Sequence, residues 1–200
     1  GMRVDAATDA RFSSSSSSGA RVRPLEGGQA VRLPLPEGAR LEWATFSSDG
    51  TRLAWCARLA DHLELWTAAT ETVTEATLVT DHLSTVMGSV QWGQQGSILL
   101  RRVPADRGEA PRPPAVARGP RVQETAGIEA PARTYQDLLR TPEDEALFVH
   151  HGTTELVLWT PEGEEVVTRA QGCEHLLGTL GATAAQHKGA EVGEQGLEPG

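Results

Sequence analysis

The sequence predicts an all-β fold, a partial β-propeller of about two blades of antiparallel strands with a Pro-rich, short-helical insertion. Three observations carry this. From Leu41 onward, apolar and polar residues alternate in short runs parted by tight-turn signals. Two motif pairs recur in the same order along the chain. Helix signals are dense in only one stretch, Pro131 to Phe148, PARTYQDLLRTPEDEALF.

Composition sets the frame. Two hundred residues suffice for one domain with a real core, and 21 Gly with 12 Pro favour turns and short strands. The net charge of −9 argues against a nucleic-acid partner, because phosphate binding needs clustered Lys and Arg. No apolar run approaches the ~20 residues of a membrane helix, and no signal-peptide pattern opens the chain. Cys56 and Cys173 lie in unlike contexts with no CxxC, so neither a zinc site nor a disulfide framework is indicated.

The chain is expected to divide into an N-terminal segment (1–40), β-propeller blades (41–170, with an insertion at about 104–149) and a disordered tail (171–200). By composition residues 1–40 are weakly ordered, and the serines from Ser13 to Ser18 read as a linker or loop. A transit-peptide reading of this segment is weakened by Asp5, Asp9 and Glu26.

Trp43–Phe46, SSDG and TRLAWCARL read as strand, turn and strand, with Asp49-Gly50 as the hairpin signal. HLELWTAATETVTEATLVT then gives an alternating strand, a small-residue turn and a Val/Thr-rich strand. The motif Phe46-SSD-Gly50 recurs as Trp92-GQQ-Gly96, and LELWT (63–67) recurs as LVLWT (156–160). Phe46 to Trp66 spans about 20 residues but Trp92 to Trp159 about 67, so an excess of about 47 falls between Val103 and about Val149. A period in the forties with four short strands is the propeller signature.

The insertion opens with a Pro-rich stretch, 103–120, which reads as a rigid surface loop rather than an SH3-type ligand. Thr134 and Asp137 have capping-box spacing ahead of a first short helix, Tyr135–Arg140. Pro142 cannot lie inside that helix. Thr141 instead caps a second one, with Pro142 at its first position and Glu143, Asp144 and Glu145 at the positive end of its dipole.

No catalytic residue is assigned. G-x-S-x-G and HExxH are both absent. His150 and His151, taken as strand neighbours, would point to opposite faces, and the histidines read as surface or strand-edge residues, giving no metal site. No cofactor is indicated. The tryptophans in strands read as packing residues. Arg133, Tyr135 and Asp137 form the one polar cluster to single out. Arg133 and Tyr135 are weak substrate-binding candidates, with Arg133 presenting its fork to a carboxylate; the competing and favoured reading is an Arg133–Asp137 ion pair at a helix start.

The stretch VPADRGEAPRPPAVARGPRVQETAGIEAPARTYQDLLRTPEDEALF resembles the propeller region of prolyl oligopeptidase-like serine peptidases. It is most similar to the glutamyl endopeptidase branch of plant chloroplasts and bacteria. LPEGARLEWATFSSDGTRLAWCARLADHLELWTAATETV looks like the preceding blade, with SSDG where the family tends to SPDG, and RVDAATDAR resembles a still earlier segment. The resemblance covers about 3–167. It breaks at the serine run, at GQQG in place of a PDG-type turn, and after Val167.

The resemblance implies a non-catalytic propeller portion. In the full-length family this part gates peptide access to a separate α/β-hydrolase domain that holds the Ser, Asp and His of the triad; none of these maps onto a residue here. Peptide substrate is thus expected only in the context of that missing domain. Two alternatives stand beside it: a stand-alone propeller-type protein-binding module, or a degenerate truncated product. Open blade edges offer a possible partner-protein surface. By resemblance the compartment is the chloroplast stroma or a bacterial soluble one.

Overall fold

The computed structural model describes residues 4–11, 15–88, 90–112, 139 and 141–170. Twelve strands and one α-helix occur among them: β1 (Val4–Asp5), β2 (Ala10–Arg11), β3 (Arg21–Val22), β4 (Val31–Arg32), β5 (Arg40–Phe46), β6 (Arg52–Arg58), β7 (Leu63–Ala69), β8 (Thr77–Thr80), β9 (Gln91–Trp92), β10 (Ile98–Arg102), α1 (Pro142–Gly152), β11 (Thr154–Thr160) and β12 (Gly163–Ala170). They form two four-stranded antiparallel meanders, β5-β6-β7-β8 and β9-β10-β11-β12, and two small hairpins, β1-β2 and β3-β4. This is the all-β, two-unit architecture expected from the repeats. No helix among the described residues is long and apolar enough to cross a membrane.

The first meander is the central layer because β6 is apolar on both faces. Ala54 and Cys56 point one way and Leu53 and Trp55 the other, all essentially without solvent exposure. On the first face they join Leu63, Leu65 and Val79 and pack against Ile98, Leu100, Val157 and Trp159 of the second meander. On the opposite face Leu53, Trp55, Ala68 and Val73 meet Leu33 and Leu41. Each fully buried Leu, Ile or Val among them contributes about 1.5–3 kcal/mol.

Residues 15–35 pack against that second face, contrary to the weak order expected from composition. Leu33 is buried, the Trp55 indole donates to the Pro34 carbonyl (3.1 Å), and Ser17 and Leu41 exchange both backbone hydrogen bonds at 2.8 Å. The end of the serine run is therefore paired with the edge of β5, where the chain's backbone groups need partners.

The two aromatic–Gly turns occupy the same place in the two meanders, joining β5 to β6 and β9 to β10, with the second shorter by one residue between its paired ends. Gly50 and Gly96 both have φ of +72°, a conformation that only glycine adopts without strain. Asp49 closes the first turn by accepting from Ser47 Oγ (2.7 Å), Thr51 Oγ1 (2.8 Å) and the Thr51 amide (3.0 Å). The LxLWT pair lies on matching strands, β7 and β11, but not in matching register. Phe46 pairs with Leu53 and Trp92 with Ile98; opposite these on the next strand stand Ala68 and Trp159. Trp159 is thus the counterpart of Ala68, and Val157 that of Trp66. The two-residue slip keeps the faces matched, since strand side chains alternate with period two.

β10 and β11, direct neighbours in the sheet, are separated in sequence by residues 103–153, which include α1. Thr141 caps α1 as expected: its hydroxyl accepts from the Asp144 amide, and the Asp144 carboxylate accepts from the Thr141 amide, both at 3.1 Å. The helix continues to Gly152, so His150 and His151 are helical rather than strand residues, a correction to their sequence reading. The Thr134–Asp137 box, the first short helix, and the tail from 171 lie outside the described residues.

Candidate functional site

A buried polar assembly lies where the β1-β2 hairpin, the loop after β10 and the end of α1 meet. Asp9 occupies the turn of the hairpin with φ +50°, a region that Asp tolerates better than most residues. Its two carboxylate oxygens accept from Arg107 Nη1 (2.9 Å) and Nη2 (2.7 Å), and Oδ1 is also 2.7 Å from His151 Nδ1. All three side chains are about nine-tenths buried. Burial alone would raise the Asp9 carboxyl, but the hydrogen bonds and charges of His151 and Arg107 outweigh it and hold it below its ordinary value of 3.8. Burial, with the Arg107 charge, depresses the neighbouring His150.

The hairpin is also tied to the first meander. Arg58 on β6 donates to Asp5 Oδ2 (2.5 Å) and Thr8 Oγ1 (3.1 Å), and its Nε engages Glu42 on β5. The Thr85 amide reaches the Asp9 carbonyl (3.3 Å), and the Arg11 amide reaches Thr85 Oγ1 (3.0 Å). Residues 4–11 are in this way fastened to the first meander and to the loop that joins the two.

Beside this junction opens a cleft of about 500 Å³ lined by Asp9, Asp61, His62, His82, Arg107 and His150 among others. His62 is held between Asp61 Oδ1 (2.7 Å) and Glu64 Oε1 (3.4 Å), and its ring stands edge-on to His82 at 5.6 Å. Partial burial works against the charged imidazole, but the two carboxylates prevail and raise its pKa. Among the described residues no group of three or more His, Cys, Asp or Glu could hold a metal ion.

The chemistry of the junction is limited by its partners. Asp9–His151 has the geometry of the acid–histidine half of a catalytic triad. Yet no serine, threonine or cysteine among the described residues is hydrogen-bonded to His151, and the Asp9 charge is already met by Arg107. Cys56 is sealed in the core between the meanders, where burial, reinforced by Glu42, pushes its thiol up to about 12, far from the thiolate a nucleophile needs.

Arg133 and Tyr135, the weak substrate-binding candidates, lie outside the described residues. The Asp9–Arg107–His151 assembly was missed by sequence reasoning, and His151 proves buried rather than a surface residue. Arg107 and His151 lie 98 and 142 positions from Asp9, and no local pattern joins residues at that range. A second cavity, an apolar groove of about 980 Å³, runs between the β3-β4 hairpin and the end of β5, with Leu25, Val31 and Phe46 exposed along it.

No protein-family model matches the chain, and no solved structure matches it significantly. Curated proteins do. The "Probable glutamyl endopeptidase, chloroplastic" of rice (Oryza sativa subsp. japonica) is 31% identical over 179 residues, covering 82% of this chain and 19% of that protein. The protein of the same name from Arabidopsis thaliana is 30% identical over 139 residues, covering 64% of this chain and 14% of its own length. The chain therefore spans about a fifth or less of the curated relatives it matches.

Proposed function

We propose that this chain, a homologue of the glutamyl endopeptidases, is a non-catalytic β-propeller portion that gates peptide access to a separate α/β-hydrolase domain. The observation that carries the reading is the stacking of two four-stranded antiparallel meanders, face to face, with equivalent glycine turns. Stacked units of this kind bury each face against a neighbour, which is how propeller blades are stabilised. The lack of a nucleophile at His151 among the described residues supports a non-catalytic role.

The domain division at 40 and 170 and a peptide-facing role for Arg133 and Tyr135 belong to the same proposal. So does a soluble chloroplast or bacterial compartment, for which the name "chloroplastic" of the relatives is the support. The test mixes the purified chain with a glutamyl endopeptidase catalytic domain and supplies a short Glu-containing peptide and a folded protein. Cleavage of the peptide continues and cleavage of the folded protein falls when the chain is added; the chain alone cleaves neither. Turnover after Glu by the chain alone, or no effect of the chain on either substrate, overturns the proposal.

A second reading, a stand-alone protein-binding module, is favoured by the apolar groove and by β12, whose outer edge pairs with no strand among the described residues. A stable partner recovered with the chain and released by Phe46→Asp would support this reading over the first.

A further inference from the structure

We infer that the β3-β4 hairpin is a binding site for a phosphate group, held between Arg21 and Arg32. The two arginines are direct cross-strand partners in a ladder only two residues long, with Arg21 opposite Arg32 and Val22 opposite Val31. Side chains of a directly opposed pair share one face, and like charges placed there destabilise the pairing. The hairpin's hold on the core comes through Val22, while Arg21 and Arg32 are both exposed. Packing therefore does not explain the arginines. Nor does a carboxylate. Arg58, Arg102, Arg107 and Arg169 all form ion pairs, whereas Arg21, Arg32 and the nearby Arg23 and Arg40 form none among the described residues. Residues 21–40 thus carry four arginines against two acids, Glu26 and Glu37, in a chain whose net charge is −9.

The pair also borders a formed cavity. Arg21 and Arg32 line a cleft of about 440 Å³ with Ser18, Gly19 and Ala20. The backbone sets Arg32 in place there: its Nη2 donates to the Ser18 carbonyl at 3.3 Å, and its Nε lies 3.4 Å from where a Cβ on Gly19 would stand. One N–H of Arg32 is thereby engaged, and the other guanidinium donors of the pair have no hydrogen-bond partner among the described residues. Two guanidinium forks on one cleft suit a doubly charged anion with several oxygens, and bonds of this kind are charge-assisted. A phosphate seated there cancels the repulsion within the pair. The ligand is a single phosphate, free or carried as a monoester by a small molecule; a nucleic-acid backbone would need a longer basic track.

The test titrates the full chain with inorganic phosphate and with glycerol 1-phosphate at constant ionic strength, following the arginine Nε–Hε resonances. Both ligands are expected to shift Arg21 and Arg32 saturably while Arg58 and Arg107 stay in place, and chloride is expected to shift none of them. Tighter binding of the ester assigns the site to a phosphorylated small molecule; equal or weaker binding assigns it to the free ion. Arg21→Gln and Arg32→Gln weaken binding by about tenfold or more, and Arg32→Lys, which keeps the charge and loses the fork, weakens it less. In phosphate-free buffer Arg21→Gln leaves the unfolding midpoint unchanged or raises it, because a facing like charge is gone. The absence of a saturable shift, an equal response to chloride, wild-type affinity in Arg21→Gln, or a lowered midpoint of that variant without phosphate overturns the site.

Discussion

The Arg52 guanidinium of β6 lies over the Trp159 ring of β11, 5.7 Å from its centroid, joining the two meanders by a cation–π contact. Gly96 makes room for it. A Cβ at Gly96 would stand 2.6 Å from Arg52 Cδ, while one at Gly50, with the same φ, would meet nothing within 4 Å. The equivalent glycines thus separate a backbone demand from a packing demand. Gly50→Ala is expected to cost about 1–2 kcal/mol, the left-handed penalty alone. Gly96→Ala adds displacement of Arg52 and is expected to cost about 1 kcal/mol more. Urea denaturation of both variants checks this; equal losses would show that Arg52 does not depend on the second turn.

Leu33→Ala tests whether residues 15–35 belong to the core. A loss of about 2–5 kcal/mol is expected, since Leu33 is fully buried against Trp55. A loss below about 0.5 kcal/mol, the range of ordinary surface substitutions, would return this segment to the linker that composition implied.

The Asp9 junction makes an acid limb in the stability profile. Its folded pKa lies below 3.8, so its contribution is present above the unfolded pKa and is lost as pH falls through the folded value. His151, His150 and Arg107 face it from α1 and the loop after β10, Asp5 and Thr8 stand on its own hairpin, and Asp61, His62 and His82 stand across the cleft. His62, raised above 6.5, contributes below that pH and loses its contribution as pH rises through its folded value; depressed His150 acts on the other side of 6.5, costing stability as pH falls below it. The unfolding midpoint is therefore expected to fall on acidification below about pH 4. Asp9→Asn should flatten that limb, and an unchanged limb would assign it to other carboxylates.

Thr141→Ala removes the hydroxyl that accepts from the Asp144 amide, the side-chain half of the α1 capping box, and is expected to cost about 0.5–2 kcal/mol of helix stability. Because the helix lies outside both cores, helical circular dichroism falls while the unfolding midpoint of the meanders stays in place. A matching fall of both would show the helix to be coupled to the global transition.

What the sequence made legible was local. Asp49-Gly50 marked its hairpin because a positive φ restricts residue choice there, and Thr141-Pro142 marked a helix start by the same local logic. The LxLWT repeat identified the right strands but missed the register, since β6 and β10 set the pairing and tolerate a two-residue slip without exchanging faces. The end of α1 was not legible, because Val149-His150-His151 carries no stop signal before Gly152. The Asp9–Arg107–His151 assembly was wholly hidden, being made by tertiary contacts between three segments whose residues look ordinary in their own neighbourhoods.

The break between β10 and β11 also has a consequence in time. Arg102 and Glu155 must find each other across 53 positions, whereas β6 and β7 are joined by four residues. The longer closure costs about 2 kcal/mol more in chain entropy before any ladder bond forms. The first meander therefore nucleates from neighbours alone, and the second completes its sheet on the surface the first has already built. In pulsed exchange, amides of β5–β7 should gain protection before those of β10–β11, and the reverse order would place the nucleus across the insertion.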